Sequence, residues 1–575
     1  MKKDNIIIIL LLFAFSLLLL PSCQSFLEDS VQNKLNLPTY IKTDAEAAKF
    51  FYGGINLVST ATFGIDYLSP MESPTDQTYF ISNDNSRLTL SSMTYDISNQ
   101  NIKNLWGDLY KVIGQMNILI DRLETGVLKD SGYSPRIMAQ AKFVRAWCYF
   151  QLVQLWGQVP ITRAYYSTSG DITPARSSVS DVYALIEGDL TYGLSENRLR
   201  DFGVTSAGVK VMPDTVVFKF PYDAASAATM YFLPVSKGAA QLLLAKVYLA
   251  QGGHDADAEP LVDAMIAKQG TLYNLLPNYG DLFDVDKKAT PYRCQEVLWE
   301  IEAQAVAGQF NSTHRQVAPD SYNGIKATAN APHNTVVGKS SGGYKFYIPT
   351  EYFLSQFDQL KDKRYFWMYQ FCKPNSNIPT WAPAIRKGFD ITTSNSDYGG
   401  CNAVLLRYAD VLLIKAELRA KAGDLTSAKT FLDKIRSRAG LAPYDLTGKT
   451  KDQVFADVIQ ERSFEFAHEA GNRLFDLRRT GTFESALQAF NAWYDTNVTH
   501  NPKSPQTITI INPACQGTPD PGDQSVNGDY FEIPVPFVPG TLKIYSTKCL
   551  LHPIPQYELM QNGNLQNNLN YPGWN

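Results

Sequence analysis

The apolar positions of this 575-residue chain keep a helical rhythm over some blocks and lose all rhythm over others. From 102 to 124, IKNLWGDLYKVIGQMNILIDRLE sets Leu105, Leu109, Val112, Met116 and Leu123 on one face at the period of an amphipathic helix. A second run, RIMAQAKFVRAWCYFQLVQLWG (136–157), stops at Gly157 with Pro160 beyond it. A third, SVSDVYALIEGDLTYGL (178–194), opens on Ser and Asp, whose side-chain oxygens satisfy the free N–H groups of a helix start. Two longer blocks read as helix pairs: 237–253 with 255–270, and 406–423 with 424–440. Small residues stand where the paired helices touch, Ala245 and Ala258 in one and Ala416 and Ala428 in the other. The second pair has the twelve-residue offset of a tetratricopeptide hairpin, and the first is one residue longer. A last long helix is predicted over 451–471.

The pattern predicts an all-α-dominated fold of stacked, tetratricopeptide-like hairpins, with the scaffold at about 40–60, 102–270 and 404–481. Residues 60–100 and 272–403 have no helical period and form a loop-rich, aromatic-rich subdomain, and 482–575 is a further irregular segment. Structured loops of that length on a rigid scaffold are where binding residues concentrate.

The first residues have a different logic. Lys2 and Lys3 precede fifteen apolar residues, Ile6–Leu20, too short for the roughly 20 that cross a bilayer. That is a secretory leader. Its end, Leu20-Pro21-Ser22-Cys23, resembles a bacterial lipobox, so residues 1–22 are expected to be removed and Cys23 to carry lipid in a membrane. The body then runs from 23 to 575.

Composition narrows the partners. With 52 basic and 56 acidic residues, the net charge is −4, and no Lys/Arg-rich block marks a nucleic-acid surface. Charged residues are only 19% while aromatics reach 12%, enough rings for a large core and an exposed surface besides. None of the seven cysteines forms a C-x-x-C pair, which excludes a zinc ribbon or a thioredoxin-type site. Export permits disulfides, with Cys372/Cys401 and Cys515/Cys549 as the available pairings.

Candidate chemistry is sparse. HEAGN (468–472) begins like a zinc-protease helix, but Asn472 stands where the second histidine ligand must be. GKSSG (338–342) fits the letters of a nucleophile elbow without the helix that must follow the serine. Glu461, Glu465 and Glu469 form a carboxylate stripe, and with Arg462, Arg473, Asp476, Arg478 and Arg479 nearby they read as a structural ion-pair cluster at a helix end. No phosphate loop, flavin motif or metal cluster emerges, so no cofactor, no metal and no catalysis are expected.

Several stretches together resemble the SusD/RagB family of nutrient-binding outer-membrane lipoproteins. They are the lipobox with CQSFLED, AWCYFQLVQLWGQVP (146–160), RYADVLLIKAELRAKAG (407–423), IRSRAGL (435–441), ERSFEFAHEAGNRLFDLRRTG (461–481) and HPIPQYELMQNGNLQNNLNY (552–571). They run in consistent order over the whole mature chain, although His552 stands where a large apolar residue is usual. The resemblance implies about four tetratricopeptide-like helix pairs with an irregular ligand-binding subdomain. It also implies a lipid-anchored position at the cell exterior, non-catalytic capture of oligo- or polysaccharide nutrients, and a SusC-like TonB-dependent transporter as partner. The same scaffold capturing peptides, or serving only as a protein-assembly scaffold, are the alternatives.

Sugars offer apolar CH faces to aromatic rings and hydroxyls to polar side chains, so ligand contacts should be aromatics outside the helical pattern. Asp76, Tyr79 and Phe80 in SPTDQTYFISND, Trp367, Tyr369 and Trp381 in RYFWMYQFCKPNSNIPTW, and Tyr322 are the candidates. Trp106, Trp147, Trp156 and Trp299 fall on apolar faces or runs and are expected in the core.

Overall fold

Capping and packing set the helices where the apolar rhythm placed them. Helices α1 (Asp44–Thr62), α2 (Ile65–Glu72) and α3 (Asn85–Ser92) lead into α4 (Gln100–Glu124), where the Asn99 side chain accepts from the N–H groups of Asn101 and Ile102. Helix α5 (Ser134–Trp156) is buried almost all round because α4 covers one side and α6 (Val179–Leu194) the other. The hairpin of α7 (Lys237–Gln251) and α8 (Asp255–Ile266) follows, and α8 packs on α9 (Tyr408–Ala422) of the next hairpin. Gly423, in the left-handed region at φ 82°, ends α9 before α10 (Leu425–Arg438) returns. Helix α11 (Lys451–Glu465) lies against α9, and α12 (Asn472–Arg479) and α13 (Phe483–Asn497) complete the long elements. The fold is helix-dominated and its hairpins stack in the tetratricopeptide manner.

This structure is a computed structural model that describes residues 41–566, less 318–346 and shorter stretches, of which the longest are 164–172, 219–228, 373–381, 498–506, 512–529 and 535–542. The leader, Cys23, Tyr322, Trp381 and the GKSSG run therefore lie outside the described residues. From Thr43 the chain forms one unit.

Sheet structure among the described residues is limited to two-stranded antiparallel ribbons. Three matter here: β1 (Thr78–Phe80), β2 (Val297–Ile301), β3 (Tyr347–Pro349), β4 (Tyr369–Cys372), β5 (Ala382–Ile385) and β6 (Ala403–Arg407) pair as β1–β3, β2–β6 and β4–β5. They tie the loop-rich segments back onto the helical body.

Several expectations change. Residues 60–100 are ordered as α2, β1 and α3, and the 482–575 segment contains the four-turn helix α13. The helix predicted to 471 stops at Glu465, because His468 adopts the left-handed φ of 59° and turns the chain before α12. Cys401 is a buried free thiol, not half of a bridge. The four core tryptophans are placed as expected, with Trp156 fully buried and Trp299 packed edge-on against Phe143 and Trp147. His552, the unusual polar residue of the C-terminal motif, is buried edge-on against Tyr95 and Trp156, with its Nε2 3.1 Å from the Pro70 carbonyl.

Part of the expected cluster is local, since Asp476 meets Arg462 and Arg479, but the partners of Glu461, Glu465 and Glu469 are far away in sequence. Glu465 is fully buried and receives Arg407, Arg438 and Arg364, and Glu461 meets Arg364 at 2.7 Å. Glu469 holds Arg407 and the buried Lys387. Arg462 joins Asp410 at 2.7 Å to Asp476 at 2.9 Å, and Arg478 donates to the carbonyls of Gln154 and Cys549. Burial alone would raise Glu465, yet the guanidinium groups of Arg438, Arg407 and Arg364 hold its carboxyl well below the ordinary range. The network clamps α9, α10, α11, α12 and the segment around Arg364 together, and so fixes the base on which the loops stand.

Candidate functional site

Described residues of the loop-rich segment 279–317 meet described residues of 386–400. Asp390 organises the second loop: its Oδ1 accepts from the Thr392 N–H and hydroxyl, and its Oδ2 accepts from the Gly400 N–H at 2.7 Å. The Asp390 N–H in turn donates to Nδ1 of buried His314, whose ring stacks on Phe389 at 5.5 Å. Burial holds His314 neutral by lowering its pKa. Asn311 then staples the two loops. Its N–H donates to the Gly399 carbonyl at 2.8 Å, and its Nδ2 donates to the Cys401 carbonyl at 2.9 Å. Gly399 is required by that approach, since a Cβ there would lie 2.5 Å from the His314 Cβ.

The staple brings two aromatic side chains face to face. Phe310 and Tyr398 stack at 4.4 Å between centroids with an interplanar angle of 29°, and both are half-buried. On the same two loops, Arg315, five residues after Phe310, and Asp397, next to Tyr398, form a half-exposed ion pair at 3.2 Å. The outer face of a stacked, half-buried ring pair suits a ligand with apolar faces, and an ion pair on the same two loops offers polar groups for hydroxyls.

Trp367 closes the neighbouring corner. Its indole packs at 5.4 Å on Phe283 and edge-on against Tyr279, with the Arg386 guanidinium 4.8 Å from the ring centre. Gly280 lies against the indole edge, where a Cβ would come within 2.0 Å of Nε1. Asp284 bonds the indole and pairs with Arg386 at 3.1 Å, and burial pushes its carboxyl up. Trp367 is half-buried, the one predicted ligand contact among the described residues that keeps part of its ring accessible.

The other described candidates are interior. Tyr79 is 1% exposed and its hydroxyl donates to Glu351 at 2.7 Å; Phe80 is fully buried edge-on against Tyr347. Asp76 is bound by the guanidinium of Arg473. Tyr369 is fully buried with its hydroxyl 2.8 Å from the His468 ring. These four are corrected to core positions. Each lies in a segment with no helical period, but a partner more than ninety residues away draws it inside. Phe310 and Tyr398 were missed, although each is an isolated aromatic among small polar residues, in GQFNST and NSDYGG. Preference for tryptophan and for aromatic clusters passed them over.

Comparison with known proteins matches this architecture. The SusD family model matches residues 355–574, and a model described as starch-binding, associating with outer membrane, matches 25–196. This chain belongs to the SusD/RagB family. It is 23% identical over 528 residues to SusD-like protein P25 of Formosa agariphila, covering 85% of this chain and 92% of that protein. Among solved structures, a laminarin binding SusD-like protein superposes with a TM-score of 0.62 at 22% identity, covering 92% of this chain and all of the other. Surface glycan-binding protein A from Bacteroides thetaiotaomicron, in complex with laminarihexaose, superposes with a TM-score of 0.63 at 18% identity, covering 91% and 99%. No helix among the described residues is long and apolar enough to cross a membrane.

Proposed function

We propose that this protein captures oligosaccharides on the Phe310–Tyr398 platform, without catalysing their cleavage, and delivers them to a SusC-like TonB-dependent transporter. The observation that carries the reading is the half-buried stacked pair Phe310–Tyr398, on the two loops that also pair Arg315 with Asp397. The family description, starch-binding in association with outer membrane, and two similar structures named for laminarin and glycan binding support the same class of ligand. The leader and Cys23 supply the anchor in this account, holding the platform at the cell exterior. Binding needs no charge transfer, proton shuttle or metal: the ring pair takes the CH faces and the flanking charges read hydroxyls.

The test is calorimetric titration of a glycan panel against the wild type and a Phe310→Ala/Tyr398→Ala variant. Binding by the wild type should weaken at least tenfold in the variant, equivalent to about 1.4 kcal/mol, with the variant still folded by circular dichroism. Equal binding by the two proteins refutes the platform. Saturable binding of peptides in place of glycans refutes the ligand class.

A further inference from the structure

His314 lies between the two loops that carry the stacked rings, and its bonding leaves no place for a second proton. Its Nδ1 accepts the Asp390 N–H at 3.0 Å, so the neutral ring carries its hydrogen on Nε2. That Nε2 is buried, with no hydrogen-bond partner among the described residues. The ring is fully buried against Phe389, and the second loop closes over it at Gly399. An imidazolium has two N–H donors and no acceptor. A proton on Nδ1 would face the Asp390 N–H, donor against donor, and the Nε2–H would still lack an acceptor. The charged groups acting on the ring are Asp390 and Asp397, both from the second loop. They favour the charged ring, but burial opposes it and outweighs them. Bonds of their own hold both carboxylates: Asp390 accepts from Thr392 and Gly400, and Asp397 pairs with Arg315.

We propose that His314 is a pH-sensitive latch for the ring pair: protonation in acid opens the contact between the two loops, parts Tyr398 from Phe310 and releases bound glycan. The inference rests on the glycan-capture reading and adds the regulation of that same site to it. Tyr398 is carried with the latch, since it precedes Gly399, whose backbone pairs with Asn311 on the first loop. While the loops are closed the ring stays neutral. Once they part it meets water and regains the ordinary histidine pKa of about 6.5. The latch is therefore at full strength above about pH 6.5 and weakens as pH falls below it. The open form gains up to about tenfold for each pH unit, until pH reaches the lowered pKa of the latched ring.

The experiment compares the full-length protein at about pH 7.5 and about pH 5, either side of the ordinary histidine value, with circular dichroism to show that the fold persists at both. Hydrogen exchange at the Asp390, Asn311 and Gly399 amides, corrected for the intrinsic rate, reads the latch. Calorimetric titration reads capture, with laminarihexaose, the glycan in the similar Bacteroides thetaiotaomicron complex, or with the tightest binder of the glycan panel. In the wild type, protection of the three amides and glycan affinity should both fall at least about threefold in acid. Ring nitrogen shifts in NMR should show the Nε2–H tautomer at the higher pH. His314→Asn sets an amide oxygen in the place of Nδ1, cannot titrate and keeps every carboxylate of the wild type. Whatever its absolute affinity, the ratio between the two pH values should return close to one. An Nδ1–H tautomer, unchanged protection or affinity in the wild type, or the same pH ratio in His314→Asn overturns the latch while leaving glycan capture standing. Protection that falls as expected in a protein that binds no glycan at the higher pH overturns the capture reading, and the latch's role in release with it.

Discussion

Glu72 and Glu465 are both fully buried carboxyls, and their surroundings send them in opposite directions. Around Glu72 burial dominates, and one N–H from Gly471 with the more distant Lys387 does not offset it, so its pKa rises to about 8. A raised pKa contributes stability that is fully present below the unfolded value of about 4.3 and is lost as pH rises through about 8. Glu72→Gln keeps the acceptor for Gly471 and cannot ionise. Chemical denaturation at pH 5 and pH 8 should show the variant gaining stability relative to wild type at the higher pH, by a few kcal/mol; an unchanged difference contradicts the burial argument. Glu465 has the opposite sign. Its depressed pKa contributes stability present above about pH 4.3 and lost as pH falls further. Glu465→Gln leaves Arg407 and Arg438 with a neutral partner in the interior, so it should cost about 3–5 kcal/mol at pH 7, with the difference shrinking in acid.

At the scale of elements, the helices were legible because burial on one face imposes the 3.6-residue period that the sequence displays. The start of α4 and the whole of the α9–α10 hairpin follow from it. Helix α13 was missed although Phe483, Leu487, Phe490 and Tyr494 keep that period, because the Pro- and Asn-rich sequence after it led 482–575 to be read as irregular. The overshoot of α11 to 471 has a different cause: no local propensity announces the left-handed turn at His468, which places Glu469 where Arg407 and Lys387 meet it. The candidate site depends on the equally local demand at Gly399. Gly399→Val forces a side chain against His314 and the Asn311 carbonyl, breaking the staple that holds Tyr398 beside Phe310. The expected result is a stability loss of about 1–3 kcal/mol and a severalfold loss of glycan affinity by titration. Full affinity in this variant would show that the staple does not position the platform.

Across the whole molecule, the parts that sequence could not reveal are contacts between distant segments. The carboxylates of 461–469 lie in buried ion pairs, but Arg364, Arg407 and Arg438 come from three other segments, and no spacing rule connects them to Glu465. For the same reason Tyr79 looked available: its partner Glu351 lies 272 positions away. The loop-rich character of the segments that carry the candidate site was readable from their aromatic content and missing period. Which rings face outward was not, because that is decided by which of them the helical body covers. A helical base cross-linked by buried ion pairs thus carries the loops on which Phe310 and Tyr398 stack.

The most direct test of that account is one titration, followed by product analysis, of the wild type and the Phe310→Ala/Tyr398→Ala variant with the same oligosaccharides. The account predicts saturable binding by the wild type, at least tenfold weaker binding by the variant, and oligosaccharide recovered at its original length from both. Failure of every glycan to bind, undiminished binding by the variant, or the appearance of new reducing ends would contradict it.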